Sequence, residues 1–426
     1  EAMYPRVVLP GHNVNAVAPW RPEGGVMMAD QISDVMNIGT TGDIRWQKFS
    51  VPYQFPVAFV RGLFNPSNPL LVEAITRGEN TKRHRCYFVI DEGLDGTALT
   101  TAIKEYFDTY QDQLELIADP MFVPGGEIVK KDLAYVERML STIHSHGIDR
   151  HSYVIAIGGG AVLDAVGLAT ATAHRGVRHI RIPTTVLSQN DSGVGVKNAV
   201  NYRGLKNYVG TFAPPWAVLN DFDFLSSLPK RERVAGMAEA IKVALIRDRE
   251  FYLWLEENVE DLSTFRPKAE EHMVRRSAEL HMNQIANGGD PFESGSARPL
   301  DFGHWSAHKL EALTNHHVRH GEAVAIGIAL DARYSVLAGL LPEGEDERIV
   351  ALLEGLGLRI WHPALESTGS DGRLSILVGL DEFQEHLGGA LTITLLRDLG
   401  VGVEVNHIDG ALMGQAMQWL KARERS

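Results

Sequence analysis

Apolar and polar positions change rhythm several times along the chain. Residues 1–50 hold no sustained period and contain Pro5, Pro10, Pro19 and Pro22, so they are read as an N-terminal extension. From residue 51 the pattern sharpens. VPYQFPVAFV alternates like a strand, and RCYFVID (85–91) is an apolar run ending in an acid, as buried strands often are. GTALTTAIKEYFDTYQ (96–111) has helical spacing, LELIADP (114–120) reads as the next strand, and KKDLAYVERMLSTIHSHG (130–147) as a helix stopped by Gly147. SYVIAIGGG (152–160) is a buried strand running into glycines, followed by a helix over 161–174 and a strand, HIRIPTT, over 179–185.

Strands and helices alternating at this interval predict a parallel α/β sheet of the Rossmann-like kind over residues 51–222. Beyond Phe222 the pattern turns to long helices: KRERVAGMAEAIKVALI, KAEEHMVRRSAELHMNQIA, SAHKLEALT and GEAVAIGIALDARYSVLAGL. Residues 223–426 are therefore expected to form an all-helical second domain. No repeat or low-complexity segment interrupts either part.

Composition narrows the classes. The 426 residues exceed one ordinary core, and 44% hydrophobic with 22% charged residues is a globular balance. A net charge of −13 argues against a general nucleic-acid or anionic-membrane binder, though a local basic cluster can still hold an anionic substrate. Cys86 is the single cysteine, which excludes an intrachain disulfide and fits a reducing, cytoplasmic setting. No stretch approaches the roughly 18 apolar residues that span a bilayer, and the first twenty residues do not have the form of a signal peptide.

Two settings carry candidate chemistry. Glycines closing a strand before a helix let a pyrophosphate approach the backbone and the positive end of the helix dipole. Gly158, Gly159 and Gly160 are placed so, with Asp164 one turn into the helix. The spacing is not GxGxxG, and three such glycines also serve as a plain packing turn. In the second half, Glu239 and Lys242 share one face of an apolar helix, His304 and His308 stand four apart at a helix start, and His320 opens another apolar helix. A carboxylate and two imidazoles suit a catalytic divalent metal. Any one of the 17 histidines is more often a surface or hydrogen-bonded core residue. A Glu inside an apolar helix is harder to dismiss, because an uncompensated buried carboxylate is costly.

Taken in order over about residues 85–330, these segments resemble the dehydroquinate synthase-like sugar phosphate cyclases. The resemblance is carried by PGGEIVKKD, AIGGGAVLD, HRGVRHIRIPTTVLSQNDSGVGVKNAVN, GLKNYVGTFAPP, DFDFLSSLPKRERVAGMAEAIKVALI, DFGHWSAHKLE and RHGEAVAIG. It implies NAD as cofactor, with Glu127, Lys130, the three glycines, Asp164, Thr184, Thr185, Asp191, Lys206 and, more loosely, Asp91 beside it. It implies Zn²⁺ or Co²⁺ on Glu239, His304 and His320. Lys197, Lys242, Asn207, Asp301 and His308 fall on substrate-handling positions, and Arg175 on an arginine that serves a neighbouring subunit, hence a homodimer. In that family NAD oxidises a ring hydroxyl, phosphate leaves by β-elimination, hydride returns, and the opened sugar closes to a carbocycle.

The match departs from dehydroquinate synthase proper in places that bear on substrate. Asp301 stands where that enzyme has Asn, as in valiolone-type cyclases; His281 falls about where it has a substrate-binding Lys; Arg298 lies one place nearer the histidine than the expected arginine. EFQEHLGG lacks a lysine pair expected near the phosphate, with His386 as a substitute. His308 follows dehydroquinate synthase, where valiolone-type enzymes usually have Pro. The mixture resembles the dehydroquinate synthase-like proteins of Ebo-type bacterial gene clusters. The expected substrate is a seven-carbon keto-sugar phosphate without a carboxylate, sedoheptulose 7-phosphate or a near relative. The alternatives are a divergent 3-dehydroquinate synthase, a metal-dependent polyol dehydrogenase, and a non-catalytic NAD-binding protein on the same scaffold.

Overall fold

The computed structural model describes residues 47, 49–79, 81–94, 98–203, 205–293, 300–370, 372–387 and 390–424. The expectation for residues 1–50 thus falls almost wholly outside the described residues. Tyr53–Ser426 form one compact unit.

Its first part is a parallel sheet of β1 (Val57–Val60), β2 (His84–Asp91), β3 (Leu114–Leu116), β4 (Met121–Val123), β5 (Tyr153–Gly158), β6 (Arg178–Pro183) and β9 (Ala217–Asp221). The spatial order is β1-β9-β6-β5-β2, with β3 and β4 both on the outer edge of β2. β5 is buried at all six positions, and alternation along the strands sorts their side chains onto two faces. Phe88, Ile90, Ile155, Ile157 and Ile182 pack on α1 (Leu70–Thr76) and α2 (Leu99–Thr109). Val89, Val154 and Ala156 pack on α3 (Ala134–Ser145) and α4 (Gly160–Thr172).

The chain leaves β2 for one edge and returns to β5 on the other side of β2. Strand order therefore reverses between β2 and β5, and their carboxyl ends carry Asp91 and Gly158. Such a switch point is where open α/β sheets bind ligands.

Two strand expectations shrink. Only Val57–Val60 of the first alternating run pairs, since Pro52 and Pro56 can donate nothing to a ladder. The run 114–120 stops pairing at Leu116, and the chain pairs again with β2 at Met121–Val123 after Pro120. A separate antiparallel hairpin, β7 (Lys197–Tyr202) and β8 (Leu205–Phe212), lies between β6 and β9 in the chain.

From Lys230 the chain is mainly helical: α5 (Lys230–Arg247), α6 (Arg249–Glu257), α7 (Val259–Ser263), α8 (Pro267–Asn287), α9 (His304–Leu313), α10 (His320–Leu337), α11 (Glu345–Gly355), α12 (Ser375–Leu387) and α13 (Gly410–Glu424). It departs from the all-helical expectation in the antiparallel pair β10 (Ile393–Asp398) and β11 (Val401–Val405), whose Ile393, Leu395 and Leu396 close the core beside α5 and α10. Every residue of α5 from Val234 to Ile246 is buried, so this helix has no solvent stripe. No helix among the described residues is long and apolar enough to cross a membrane.

α10 meets α5 at Gly321, where a Cβ would collide with the Ala235 carbonyl. Gly321→Ala is expected to lower the unfolding free energy by about 1–3 kcal/mol in urea titrations. Gly414→Ala in α13, where no atom lies within 4 Å of the added Cβ, should raise it by about 0.5–1 kcal/mol. Equal effects would show that the α5–α10 contact is not tight.

Candidate active site

The glycine turn closes β5 and opens α4. Gly159 is the extended N-cap of α4, and no side chain caps that end, so its first N–H groups remain available to an anion. A Cβ on Gly160 would lie 2.5 Å from Ser192 Oγ, and one on Gly159 would lie 3.3 Å from Thr185 Cγ2. A side chain here would fill the cradle, so the glycines fit a pyrophosphate. Thr184 N–H donates to Gly158 O at 3.0 Å, and Thr185 Oγ1 lies 2.8 Å from Ser188 Oγ, which fixes both threonines beside the turn.

Asp91 ends β2 across the switch point, accepting from Gly93 N–H at 2.9 Å, and burial pushes its carboxyl above the usual range. A Cβ on Gly125 would approach Asp91 Oδ2 to 2.5 Å, so only glycine lets the following turn pass the acid. That turn carries Glu127, which accepts from Asn201 Nδ2 at 2.9 Å, and buried Lys130, whose Nζ donates to Asp164 Oδ2 at 2.7 Å. Asp164 thus holds Lys130 against the first turns of α4.

The second constellation centres on α5. Glu239 is 1% exposed, and neither carboxylate oxygen has a hydrogen-bond partner. Lys242 Nζ stands 2.5 Å from Oε2 but outside hydrogen-bonding geometry. His320 Nε2 lies 3.3 Å and His304 Nε2 3.6 Å from Oε1. Donor atoms of the three side chains all fall within 4.8 Å of one another.

The far ring nitrogens explain this aim. His304 Nδ1 lies 3.1 Å from Phe302 O, and His320 Nδ1 3.1 Å from Glu311 Oε2. A carbonyl and a carboxylate only accept, so both Nδ1 atoms carry the proton and both Nε2 atoms face Glu239. Two imidazoles turned this way toward a buried carboxylate fit a divalent ion. His304 is set at the head of α9 by Gly303 (φ 76°), whose N–H donates to Asp331 Oδ2 at 3.1 Å.

Charge balance agrees with the geometry. Burial works against ionised Glu239, but Lys242 and the histidines outweigh it and hold its carboxyl at about 2. Burial also opposes the Lys242 ammonium, yet Asp191 and Glu239 keep it above its usual range. Burial and then Lys242 depress His304, while His320 is raised to about 9 because Glu311 and Glu239 overcome burial. Burial and Lys206 push His308 well below the usual imidazole range; its ring centroid lies 5.5 Å from that of His304 and 5.9 Å from that of His320.

The remaining sequence candidates divide. Asp191 Oδ1 lies 2.8 Å from His281 Nδ1 and 3.6 Å from Lys242 Nζ; the Lys242 ammonium and the contact with His281 hold its carboxyl well below the usual range despite burial. Asp301 places its negative charge near both Lys242 and His304. Lys206 donates to Glu311 at 2.7 and 2.9 Å, next to His320 rather than at the glycine turn. Lys197 opens β7 and pairs with Glu293 at 2.6 Å. Asn207 is exposed, with its backbone N–H donated to Asn201 Oδ1 at 2.8 Å. Arg175 is exposed just past the far end of α4, a helix about 20 Å long, so it is not brought to this chain's own glycine turn. Arg298 and the His386 side chain lie outside the described residues.

Three charged neighbours of the site are not marked by any motif in the sequence. Glu311 orients His320, and Asp331 fixes Gly303 and donor Trp305 Nε1. Buried Arg181 donates to the carbonyls of Gly193, Gly195 and Lys197 and to Asn198 Oδ1, clamping the segment between Asp191 and the hairpin. Each is a charged residue inside an apolar run, the same signal that singled out Glu239.

A Rossmann-like sheet with an uncapped glycine turn, joined to buried helices that present a carboxylate and two imidazoles, defines a class of two-part α/β proteins built for a dinucleotide and a metal. Residues 120–235 match the family model described as 3-dehydroquinate synthase N-terminal, and 236–373 the one described as 3-dehydroquinate synthase C-terminal. A 3-dehydroquinate synthase of Halorhodospira halophila is 39% identical over 298 residues, 68% of this chain and 82% of that protein. A 2-epi-5-epi-valiolone synthase of Streptomyces glaucescens is 35% identical over 321 residues, 73% of this chain and 77% of that one. The solved 2-epi-5-epi-valiolone synthase of Streptomyces hygroscopicus subsp. jinggangensis, with NAD⁺ and Zn²⁺ bound, superposes with TM-score 0.78 at 27% identity, covering 89% of this chain and 100% of that chain. The chain belongs to the 3-dehydroquinate synthase family.

With no ion present, a His320 pKa near 9 leaves its imidazole protonated on both nitrogens at neutral pH. An ion must displace the Nε2 proton. Zn²⁺ binding at about pH 7.5 should therefore release about one proton, read by calorimetry in buffers of different ionisation enthalpy, and the release should vanish above pH 9. Glu239→Ala should abolish the uptake. Uptake without proton release would show that His320 is already neutral before the ion binds; unchanged uptake in Glu239→Ala would refute the ligand set.

Proposed function

We propose that the chain is an NAD- and metal-dependent sugar phosphate cyclase acting on a seven-carbon ketose phosphate that lacks a carboxylate. The observation that carries the reading is Glu239, a buried carboxylate ion-paired with Lys242 and faced by Nε2 of His304 and His320. Adjacent residues connect it to the glycine turn: Ser192 lies against Gly160, and Asp191 lies beside Lys242. Gly158–Gly160 would hold the pyrophosphate, Asp91 the adenosine ribose, and Thr184, Thr185, Glu127, Lys130 and Asp164 would line the dinucleotide. The sheet to residue 222 and the helices from 223 are taken as the two functional domains. Bound there, NAD supplies reversible hydride transfer and Zn²⁺ or Co²⁺ supplies Lewis acidity toward substrate oxygens. The chain's part is orientation: Lys242 holds charge beside Glu239 and Asp191, His308 stands neutral and ready to share a proton, and Lys197, Lys206 and Asn207 lie on the hairpin for the phosphate.

Charge supports the absence of a carboxylate on the substrate. His281 is taken by Asp191, Lys242 by Glu239 and Asp191, and Asp301 adds negative charge nearby. Among the described residues a buried substrate carboxylate would lack a charge-assisted hydrogen bond, a loss of roughly 1.5–3 kcal/mol. The second reading, a 3-dehydroquinate synthase, is favoured by the 39% identity to an enzyme of that name.

Comparison of kcat/KM for sedoheptulose 7-phosphate and the carboxylated heptulosonate phosphate decides between them. The first is expected to win by about 10–100-fold, the equivalent of that lost bond. Preference for the carboxylated sugar would establish the second reading. Stoichiometric accumulation of NADH would instead point to a polyol dehydrogenase.

We also infer a homodimer, because Arg175 is exposed at the end of α4 away from its own chain's turn, where a second copy could use it. Light scattering should give twice the chain mass, and Arg175→Ala should raise KM for the phosphorylated substrate. A fully active monomer would refute this.

A further inference from the structure

The β7–β8 hairpin buries Asn198 and Val200 but leaves Leu205, Tyr208 and Phe212 exposed. Its tip is nevertheless held from two sides. Asn201 N–H donates to Lys130 O at 2.7 Å and Asn201 Nδ2 to Glu127 Oε2 at 2.9 Å, on the sheet side. On the helical side Lys206 donates to both oxygens of Glu311 at 2.7 and 2.9 Å. Glu311 is 2% exposed, and the same carboxylate accepts from His320 Nδ1 at 3.1 Å.

We propose that Glu311 is a positioning residue that ties the hairpin to the metal ligand His320, so that one carboxylate sets both the order of the hairpin tip and the hold on the ion. This rests on the reading of Glu239, His304 and His320 as metal ligands. A buried carboxylate with two lone pairs per oxygen can serve the ammonium and the imidazole together. Its negative charge pins the Lys206 ammonium, and its Oε2 fixes the tautomer and plane of His320. The two duties use different properties of the group. Orienting His320 needs an acceptor oxygen; holding Lys206 needs charge.

That difference supplies the test. Glu311→Ala, Glu311→Gln and Lys206→Met are compared with the full-length parent for Zn²⁺ affinity by chelator competition, the absorption spectrum of the Co²⁺-loaded protein, and amide hydrogen exchange over residues 197–212. Glu311→Ala should weaken Zn²⁺ by about 10–100-fold, the usual effect of losing a group that orients a ligand, change the Co²⁺ spectrum and speed exchange at the hairpin. Glu311→Gln keeps an acceptor oxygen, so it should recover most of the Zn²⁺ affinity and the spectrum while the tip stays fast to exchange. Lys206→Met should speed exchange and leave Zn²⁺ affinity nearly unchanged. Parent-like Zn²⁺ affinity and Co²⁺ spectrum in Glu311→Ala, or unaltered hairpin exchange in all three, would overturn the proposal. The ligand reading is checked separately by Glu239→Ala. Zn²⁺ held by the parent, lost in Glu239→Ala and unaffected in Glu311→Ala sinks the proposal alone; a folded parent that takes up no Zn²⁺ sinks the ligand reading and the proposal with it.

Discussion

One carboxylate in the middle of a fully buried helix governs the second half of the molecule. Glu239 sits among side chains from Val234 to Ile246 that are all out of water. A lone charge there costs several kcal/mol or more unless other charges or an ion answer it. Lys242, one turn along the same helix, answers part of it. The rest must come from other helices, which have to approach α5 closely enough for short imidazole side chains to reach. Gly321 permits this for α10 at Ala235, and Gly303 and Gly327 permit it between α9 and α10. Helix packing and the proposed ligand set are thus one constraint.

Much of this was legible in the sequence, and the reasons differ by element. β2, β5 and β6 read correctly because their apolar runs are bounded by turn residues, and α4, α5, α8 and α10 because they are long and strongly patterned. The β7–β8 hairpin did not read as strands. Lys197–Tyr202 and Leu205–Phe212 are polar or exposed at many positions, and what orders them is remote: Arg181 on the carbonyl side, Asn201 and Lys206 at the tip. Periodicity records burial, not long-range hydrogen bonds. Glu239, His304 and His320 were visible as polar residues in apolar helices. Glu311 carried the same mark in HKLEALT, but only the fold shows that it meets His320, nine residues on, and Lys206, more than a hundred residues back.

The two sides of the site are joined by a short run of backbone rather than by a broad surface. Thr184 and Ser192 both lie against the glycine turn, and Asp191 beside Ser192 reaches Lys242. Asn190 donates from its side chain to Gly236 O on α5 at 2.9 Å, and Gln189 donates to Pro183 O and Asp221 O. Each of these polar side chains is buried, so each bond it makes locks the run against a neighbour. A displacement of α5 would therefore move Asp191 and the glycine turn together. A cascade that needs cofactor and metal to act on adjacent atoms of one substrate requires that kind of coupling.

The lysines of the site show where an anion can be gathered in an acidic chain. All four are paired: Lys130 with Asp164, Lys242 with Glu239, Lys206 with Glu311 and Lys197 with Glu293. Burial separates them. The side chains of Lys130 and Lys242 are 5% and 3% exposed, and stripping a partner from such a pair costs about 3–5 kcal/mol because the carboxylate left behind stays out of water. Those two lysines belong to the fold's internal charge balance. Lys206 is 26% exposed, but its partner Glu311 is 3% exposed, so that pair also leaves a carboxylate out of water when broken. Lys197 is 58% exposed, and an exposed pair contributes only about 0–1 kcal/mol. Lys197 can exchange Glu293 for a phosphate at little cost, because water solvates the released carboxylate. An anion at the hairpin therefore meets a lysine whose pairing is cheap to exchange, whereas Lys242 on the buried helix is already committed to Glu239. The net charge of −13 does not oppose this, since surface charges beyond a Debye length of about 8 Å are screened.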